Sequence, residues 1–253
     1  MRKTDQAVEQ VRAALAGWDE VVAVGLNRHG EDVYDPYYSH SFDVYTAAEL
    51  RDAALRERSF GEVTLFESST LTTKDRFLIG EIPVRIEYKT TRRFDELSAA
   101  ARNGECGLRD AGTYAFRRVT DAEVLVSRGG WIEAIRHALS QLPDPFWAAL
   151  RRAQEARVEH LYADLSAAAT REDAFYFMMS AGAFLAQLGA LLFTINRRFE
   201  PSPRALRDEV LRLTVIPDSF PANLENFVNQ RHYLSMSQRR ELAELMVTAV
   251  LAL

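Results

Sequence analysis

The sequence predicts an α+β protein: a mixed β-sheet with flanking helices over residues 1–128, then an all-α helical bundle over residues 129–253. Three observations predict it. In the first half, short runs alternate apolar and polar residues, the pattern of strands that bury one face. From Gly129 onward the spacing is helical, punctuated by Pro143, Pro145, Pro201, Pro203, Pro217 and Pro221. Within that second half, the 22 residues from Ala174 to Ile195 carry no charged side chain.

Each element follows from its local pattern. Residues 5–16 place Val8, Val11, Ala14 and Leu15 on one side of a helix. A strand over 20–24 ends at Gly25, and a polar, turn-rich loop runs from Asn27 to Ser39. A second strand covers 41–45. Thr46 with Glu49 three residues on matches a capping box and predicts a helix start there. Strands are predicted over 63–67, 75–82 and 83–89, and a helix over 91–102. Residues 113–126 read either as a strand pair or as a helix preceding a strand. Helices then cover 130–141, 144–169, 171–198, 203–213, 221–229 and 235–252, the last opened by Ser235 or Ser237. The chain shows no internal repeat, low-complexity segment or flexible linker.

The uncharged run is long enough for a bilayer, which about 20 apolar residues cross. Its interior argues for burial in protein instead. Asp173, Ser180, Gln187 and Thr194 recur every seven residues and give one helix face a polar stripe. Lipid offers such a stripe nothing. Gly182 and Gly189 each weaken a helix by about 1 kcal/mol unless close packing or a ligand benefits. The N-terminal MRKTDQAVEQ has no apolar signal-peptide core. A buried helix in a cytoplasmic protein is expected, with no membrane partner.

Composition excludes some classes. A net charge of -5 gives no strong nucleic-acid signal. The single cysteine, Cys106, excludes an intramolecular disulfide and has no adjacent base that marks a nucleophile. No phosphate-loop, dinucleotide, zincin or nucleophile-elbow motif occurs. His29 and His40 flank the first loop without metal-ligand spacing and read as surface or ligand-contacting histidines. Tyr37 and Tyr38 read equally as a base-stacking pair or a packed turn. The paired arginines, Arg117-Arg118 among them, read mostly as solvated helix faces. Arg197 and Arg198 differ, because they follow the polar stripe where a guanidinium can fork onto a phosphate or carboxylate. Asn196 reads as a helix cap.

Alternation places Ser41, Asp43 and Tyr45 on one face of their strand, and Arg85, Glu87 and Lys89 on one face of theirs. If the strands are neighbours, Asp43 and Glu87 share a face. Two carboxylates there suit Mg²⁺; the other reading is two solvated charges on a half-exposed sheet.

The strand–Gly–loop–strand order VVAVGLNRHGEDVYDPYYSHSFDVYT resembles the nucleotidyltransferase superfamily with the DNA polymerase β-like fold. Those proteins carry Gly-Ser after the first strand, an Asp-x-Asp/Glu pair on the next, and a third carboxylate on a later strand. The run LLFTINRRFEPSPRALRDEVLRLTVIPDSF resembles the C-terminal helical domain of bacterial nucleotidyltransferase-like proteins of the DUF4037 type. There a long apolar helix ends in LF-x-LN-x-x-Y/F-x-P, followed by Lys or Arg. Leu192, Phe193, Asn196, Phe199, Pro201 and Arg204 fill those positions. VLVSRGGWIEAIRHALSQLPDPFWAAL resembles the stretch linking the two domains.

The resemblance implies Mg²⁺-dependent transfer of a nucleotidyl group from an NTP to a hydroxyl of a small-molecule or protein acceptor. Asp43 and Glu87 would hold the metal, and Gly25 would let the backbone approach the phosphates. Asn27, Ser41, Gln187, Arg197 and Arg204 would bind nucleotide or substrate, and a homodimer is a further candidate partner. The motif departs from the family pattern: Leu26 stands where Ser follows the Gly, and either register of SFDVYT leaves one carboxylate where two-metal chemistry uses two. The competing expectation is a catalytically impaired relative that binds a nucleotide or a partner protein. A third is a purely structural helical interaction protein.

Overall fold

Among the described residues, six strands, Val21–Asn27 (β1), His40–Thr46 (β2), Thr64–Ser69 (β3), Lys74–Ile79 (β4), Ile82–Thr90 (β5) and Glu123–Ser127 (β6), pair into one mixed sheet in the order β3-β4-β5-β2-β1-β6. The computed structural model describes residues 2–27, 39–69, 73–105, 112–229 and 234–253. His29, Tyr37, Tyr38 and Cys106 lie outside the described residues. The described chain forms two compact units, one of residues 1–102 and 115–141, the other of residues 103–114 and 142–253.

The first unit opens with α1 (Lys3–Ala16), followed by β1 (Val21–Asn27) and β2 (His40–Thr46). Then come α2 (Ala53–Ser59), β3 (Thr64–Ser69), β4 (Lys74–Ile79) and β5 (Ile82–Thr90). The helices α3 (Thr91–Arg102) and α4 (Tyr114–Asp121), the strand β6 (Glu123–Ser127) and α5 (Trp131–Ser140) follow. β2 and β5 run parallel, and every other pairing is antiparallel. The strands alternate as their sequences demand. Phe42, Val44, Val24, Leu26 and Ile86 enter a core shared with Val11 and Leu15 of α1 and with Trp18. The opposite face is also covered: the Tyr45 ring meets Phe94 of α3 at 5.2 Å and Trp131 of α5 at 4.9 Å. Asp43 and Tyr45 are therefore fully buried, which corrects the picture of a half-exposed sheet.

Two local expectations change, and one open alternative is resolved. Thr46 is the last residue of β2, and α2 starts at Ala53 behind Asp52, so the Thr46–Glu49 capping box does not form. β4 and β5 turn at Gly80-Glu81, with Ile79 paired to Ile82 and Gly80 at φ +58°. That left-handed position suits glycine in a two-residue hairpin, and it moves the expected boundary from 82/83 to 80/81. Residues 113–126 adopt the helix-then-strand alternative, as α4 and β6.

The second unit contains α6 (Asp144–Thr170), α7 (Ala174–Ile195), α8 (Leu206–Val210), α9 (Phe220–Val228) and α10 (Met236–Leu251). α6 ends with Glu172 in the left-handed region at φ +55°, its N–H bonded to the Ala169 carbonyl and that of Asp173 to the Ala168 carbonyl. Asp173 then caps α7, accepting from the Tyr176 N–H at 3.0 Å. Ser235 and Gln238 form a reciprocal capping box on α10. α7 is long and apolar enough to cross a membrane, and half of its most apolar window is buried in the protein. Phe184, Leu188, Leu191, Leu192 and Phe193 pack in one core with Val158 and Leu165 of α6 and Met246 and Val250 of α10. Ser180, Gln187 and Thr194 of the polar stripe are buried, while Phe175, Met178 and Met179 on its first turns are exposed. A Cβ on Gly189 would lie 3.0 Å from Leu206 Cδ1, so close packing explains that glycine; Gly182 has no such neighbour among the described residues.

Candidate functional site

The parallel register of β2 and β5 sets Asp43 directly opposite Glu87, with Ser41 opposite Arg85 and Tyr45 opposite Lys89. The two predicted carboxylates are thus brought together, but in the company of cations. Arg118 of α4 forks onto Asp43, its Nε and Nη2 each donating to one carboxylate oxygen at 2.7 Å. Lys89 Nζ lies 2.8 Å from Asp43 Oδ1, and Asn27 Nδ2 donates to Oδ2 at 3.1 Å. Asp43 is 0% exposed, Arg118 11% and Lys89 15%. Arg118 also donates to Ser41 Oγ at 3.1 Å. Glu87 is less enclosed, with Lys74 and Arg118 nitrogens each 3.8 Å away.

This arrangement decides the electrostatics. A carboxylate offers about four lone-pair positions, and those of Asp43 are engaged by a bidentate guanidinium, an ammonium and an amide. Burial pushes the Lys89 ammonium below its ordinary value, with the like charge of Arg118 adding to it and Asp43 opposing both. Burial likewise pushes the Tyr45 phenol up, assisted by the Asp43 charge. The Tyr45 hydroxyl has no hydrogen-bond partner among the described residues. The donor set does not fit a divalent cation: Arg118 and Lys89 already occupy the coordination space of Asp43 with positive charge. Among the described residues, no group of three or more His, Cys, Asp or Glu side chains is placed to hold a metal.

The other predicted residues fall as follows. The space above Gly25 is taken by Ala122, whose Cβ would stand 2.8 Å from a Cβ at Gly25. Close packing against the residue that follows α4 therefore accounts for this glycine. Asn27 and Ser41 serve Asp43 and Arg118, as above. His40 is buried, with Nε2 3.1 Å from the Thr4 carbonyl oxygen, which corrects its reading as a surface histidine. In the second unit, Arg197 sits at φ +52° just beyond α7 and pairs with the exposed Asp144 at 2.8 Å. Its N–H bonds the Thr194 carbonyl and that of Arg198 the Phe193 carbonyl, the double bond pattern that closes a helix C-terminus. Asn196 is more than a cap: it donates to the Leu192 and Val215 carbonyls and accepts from the Val215 N–H. Phe199 stacks on Trp147 at 5.7 Å. Arg204 is exposed. Gln187 lines a cavity together with Glu200, a residue that sequence reasoning passed over.

Comparison with known proteins adds to this geometry. Residues 111–204 match the family model described as "Domain of unknown function (DUF4037)". Comparison with curated proteins gives no match. Among solved structures, a nucleotidyltransferase-like protein from Exiguobacterium sibiricum 255-15 superposes with a TM-score of 0.51 at 13% identity, covering 98% of this chain and 74% of that one. The fold is nucleotidyltransferase-like. Its two halves, the mixed sheet and the helical region, agree with the expected α+β class. The matched DUF4037 segment begins beside Thr113 and ends at Arg204, and a clasp joins its two ends. The Thr113 N–H donates to Glu200 Oε1 at 3.0 Å, and the Glu200 N–H donates to Thr113 Oγ1 at 3.0 Å.

Proposed function

We propose that the protein is a catalytically impaired member of the nucleotidyltransferase fold, acting as a cytoplasmic nucleotide-binding module rather than transferring a nucleotidyl group. The observation that carries this reading is the buried Asp43, whose oxygens are bonded by Arg118, Lys89 and Asn27. Metal-assisted transfer needs carboxylates that face a cation; here the carboxylate faces fixed protein cations. Lys74, Lys89 and Arg118 outnumber Asp43 and Glu87 in this cluster. That balance supports an anionic ligand such as a nucleotide, held without Mg²⁺. The nucleotidyltransferase-like fold supports the choice of nucleotide among anions.

Calorimetry with each NTP, with and without Mg²⁺, tests the reading beside an assay for pyrophosphate release with Mg²⁺ or Mn²⁺ and a pool of small hydroxyl acceptors. NTP binding that is indifferent to Mg²⁺, with no pyrophosphate, is expected. Metal-dependent pyrophosphate release that Asp43→Ala abolishes would restore the enzyme reading.

A further inference from the structure

The second unit carries a half-open cavity of about 340 Å³, lined by residues of α6 and α7 and by Gly112, Tyr114, Glu200 and Pro201 among others. Its size lies at the lower end of small-molecule pockets, roughly 300–1,000 Å³. Most of the wall is alkyl, from Leu161, Ala190, Pro203 and Leu206 among others. Two polar side chains within it are unusual. Gln187 is 9% exposed, and its Nε2 has no hydrogen-bond partner among the described residues. A buried amide donor left unpaired is costly unless something outside the protein completes it.

Glu200 is the second. Its carboxylate accepts from the Thr113 backbone N–H, and no ion pair balances its charge among the described residues. Burial pushes its carboxyl above the usual value, against the restraining N–H groups of Thr113 and Tyr114. Arg157 also lines the cavity, as an exposed residue. Among the described residues, a carboxylate with no paired cation beside an amide donor with no partner, in a largely alkyl-walled cavity, is complementary to a cationic donor attached to an apolar body.

We propose that this cavity binds a small molecule carrying a protonated amine on an apolar body, the ammonium donating to Glu200 and a neighbouring ligand group accepting from Gln187. The site lies wholly within the second unit and stands independently of whether the first unit is catalytic.

Three probes of matched shape test it: phenethylamine, 2-phenylethanol and 3-phenylpropionate, each titrated into the isotope-labelled full-length protein. The Gln187 side-chain amide and the Thr113 backbone amide are the resonances to follow. The amine is expected to shift both and to bind about tenfold more tightly than the alcohol or the carboxylate, a preference typical of a charge-assisted bond. Glu200→Gln keeps a carbonyl oxygen for the Thr113 N–H while removing the charge. In that variant the amine should lose its advantage over the alcohol. The proposal is overturned if no probe moves those resonances at millimolar concentration, if the alcohol or carboxylate binds as tightly as the amine, or if Glu200→Gln retains the preference. None of these outcomes depends on pyrophosphate release or NTP binding, which report on the other reading.

Discussion

Asp43 is a fully buried carboxylate paired with two cations. Taking charges out of water costs several kcal/mol per ion, and only close pairing with good hydrogen bonds offsets it. Arg118 and Lys89 pair with Asp43 at 2.7 and 2.8 Å and are themselves mostly buried, so the three side chains depend on one another. Glu200 shows the opposite case, a partly buried carboxylate with no paired cation among the described residues. Its raised pKa makes a signed prediction. A group whose folded pKa lies above its unfolded value contributes stability below the unfolded value and loses it as pH rises through the folded one. Glu200→Gln removes this charge at every pH. The variant should therefore gain in melting temperature relative to the native protein more at pH 7 than at pH 4, as followed by circular dichroism. An equal shift at both values would contradict the burial argument.

At the scale of elements, helix ends explain the sequence around α6 and α7. The left-handed residue after a helix is usually glycine, yet Glu172 and Arg197 occupy it here. Neither substitution is free, since a side chain with positive φ costs about 1 kcal/mol. Glu172→Gly should raise unfolding stability by about 0.5–1 kcal/mol in a denaturant titration, because glycine accepts that backbone angle. A loss of stability would mean that the Glu172 side chain holds the hairpin. The same elements show what a sequence makes legible. The α7 run, the Ser235 cap and the alternation of β2 and β5 were readable because each signal is local. The late start of α2 and the Gly80 turn were not, since Thr46-x-x-Glu49 imitates a cap while its first residue is claimed by strand pairing.

For the molecule as a whole, buried titratable groups of the first unit set the alkaline pH profile. Burial pushes the Tyr45 and Tyr88 phenols up, and the Lys89 ammonium down. The unfolded chain ionises tyrosine near pH 10, so the phenols contribute stability that is lost as pH rises beyond that point. Lys89 acts in reverse, adding stability up to its unfolded value near 10.5 and nothing further. Two phenols against one ammonium predict a net fall in melting temperature above about pH 10.5, and a Tyr45→Phe variant should fall less steeply. The site was half legible in the same terms. Alternation placed Lys89 on the face of Glu87, a cation beside the expected metal ligands. Arg118 gave no such signal, because its pairing with Asp43 spans 75 residues and depends on how α4 covers the sheet.

The unfolding free energy of Asp43→Asn, measured with and without Mg²⁺, separates a cation-paired carboxylate from a metal ligand. Neutralising the partner of two mostly buried cations should cost about 3–5 kcal/mol, and Mg²⁺ should leave the native protein's stability unchanged. A site of mutually repelling metal ligands predicts the reverse. An Asp43→Asn protein as stable as the native one, together with a native protein that Mg²⁺ stabilises, would show instead that Asp43 is a metal ligand.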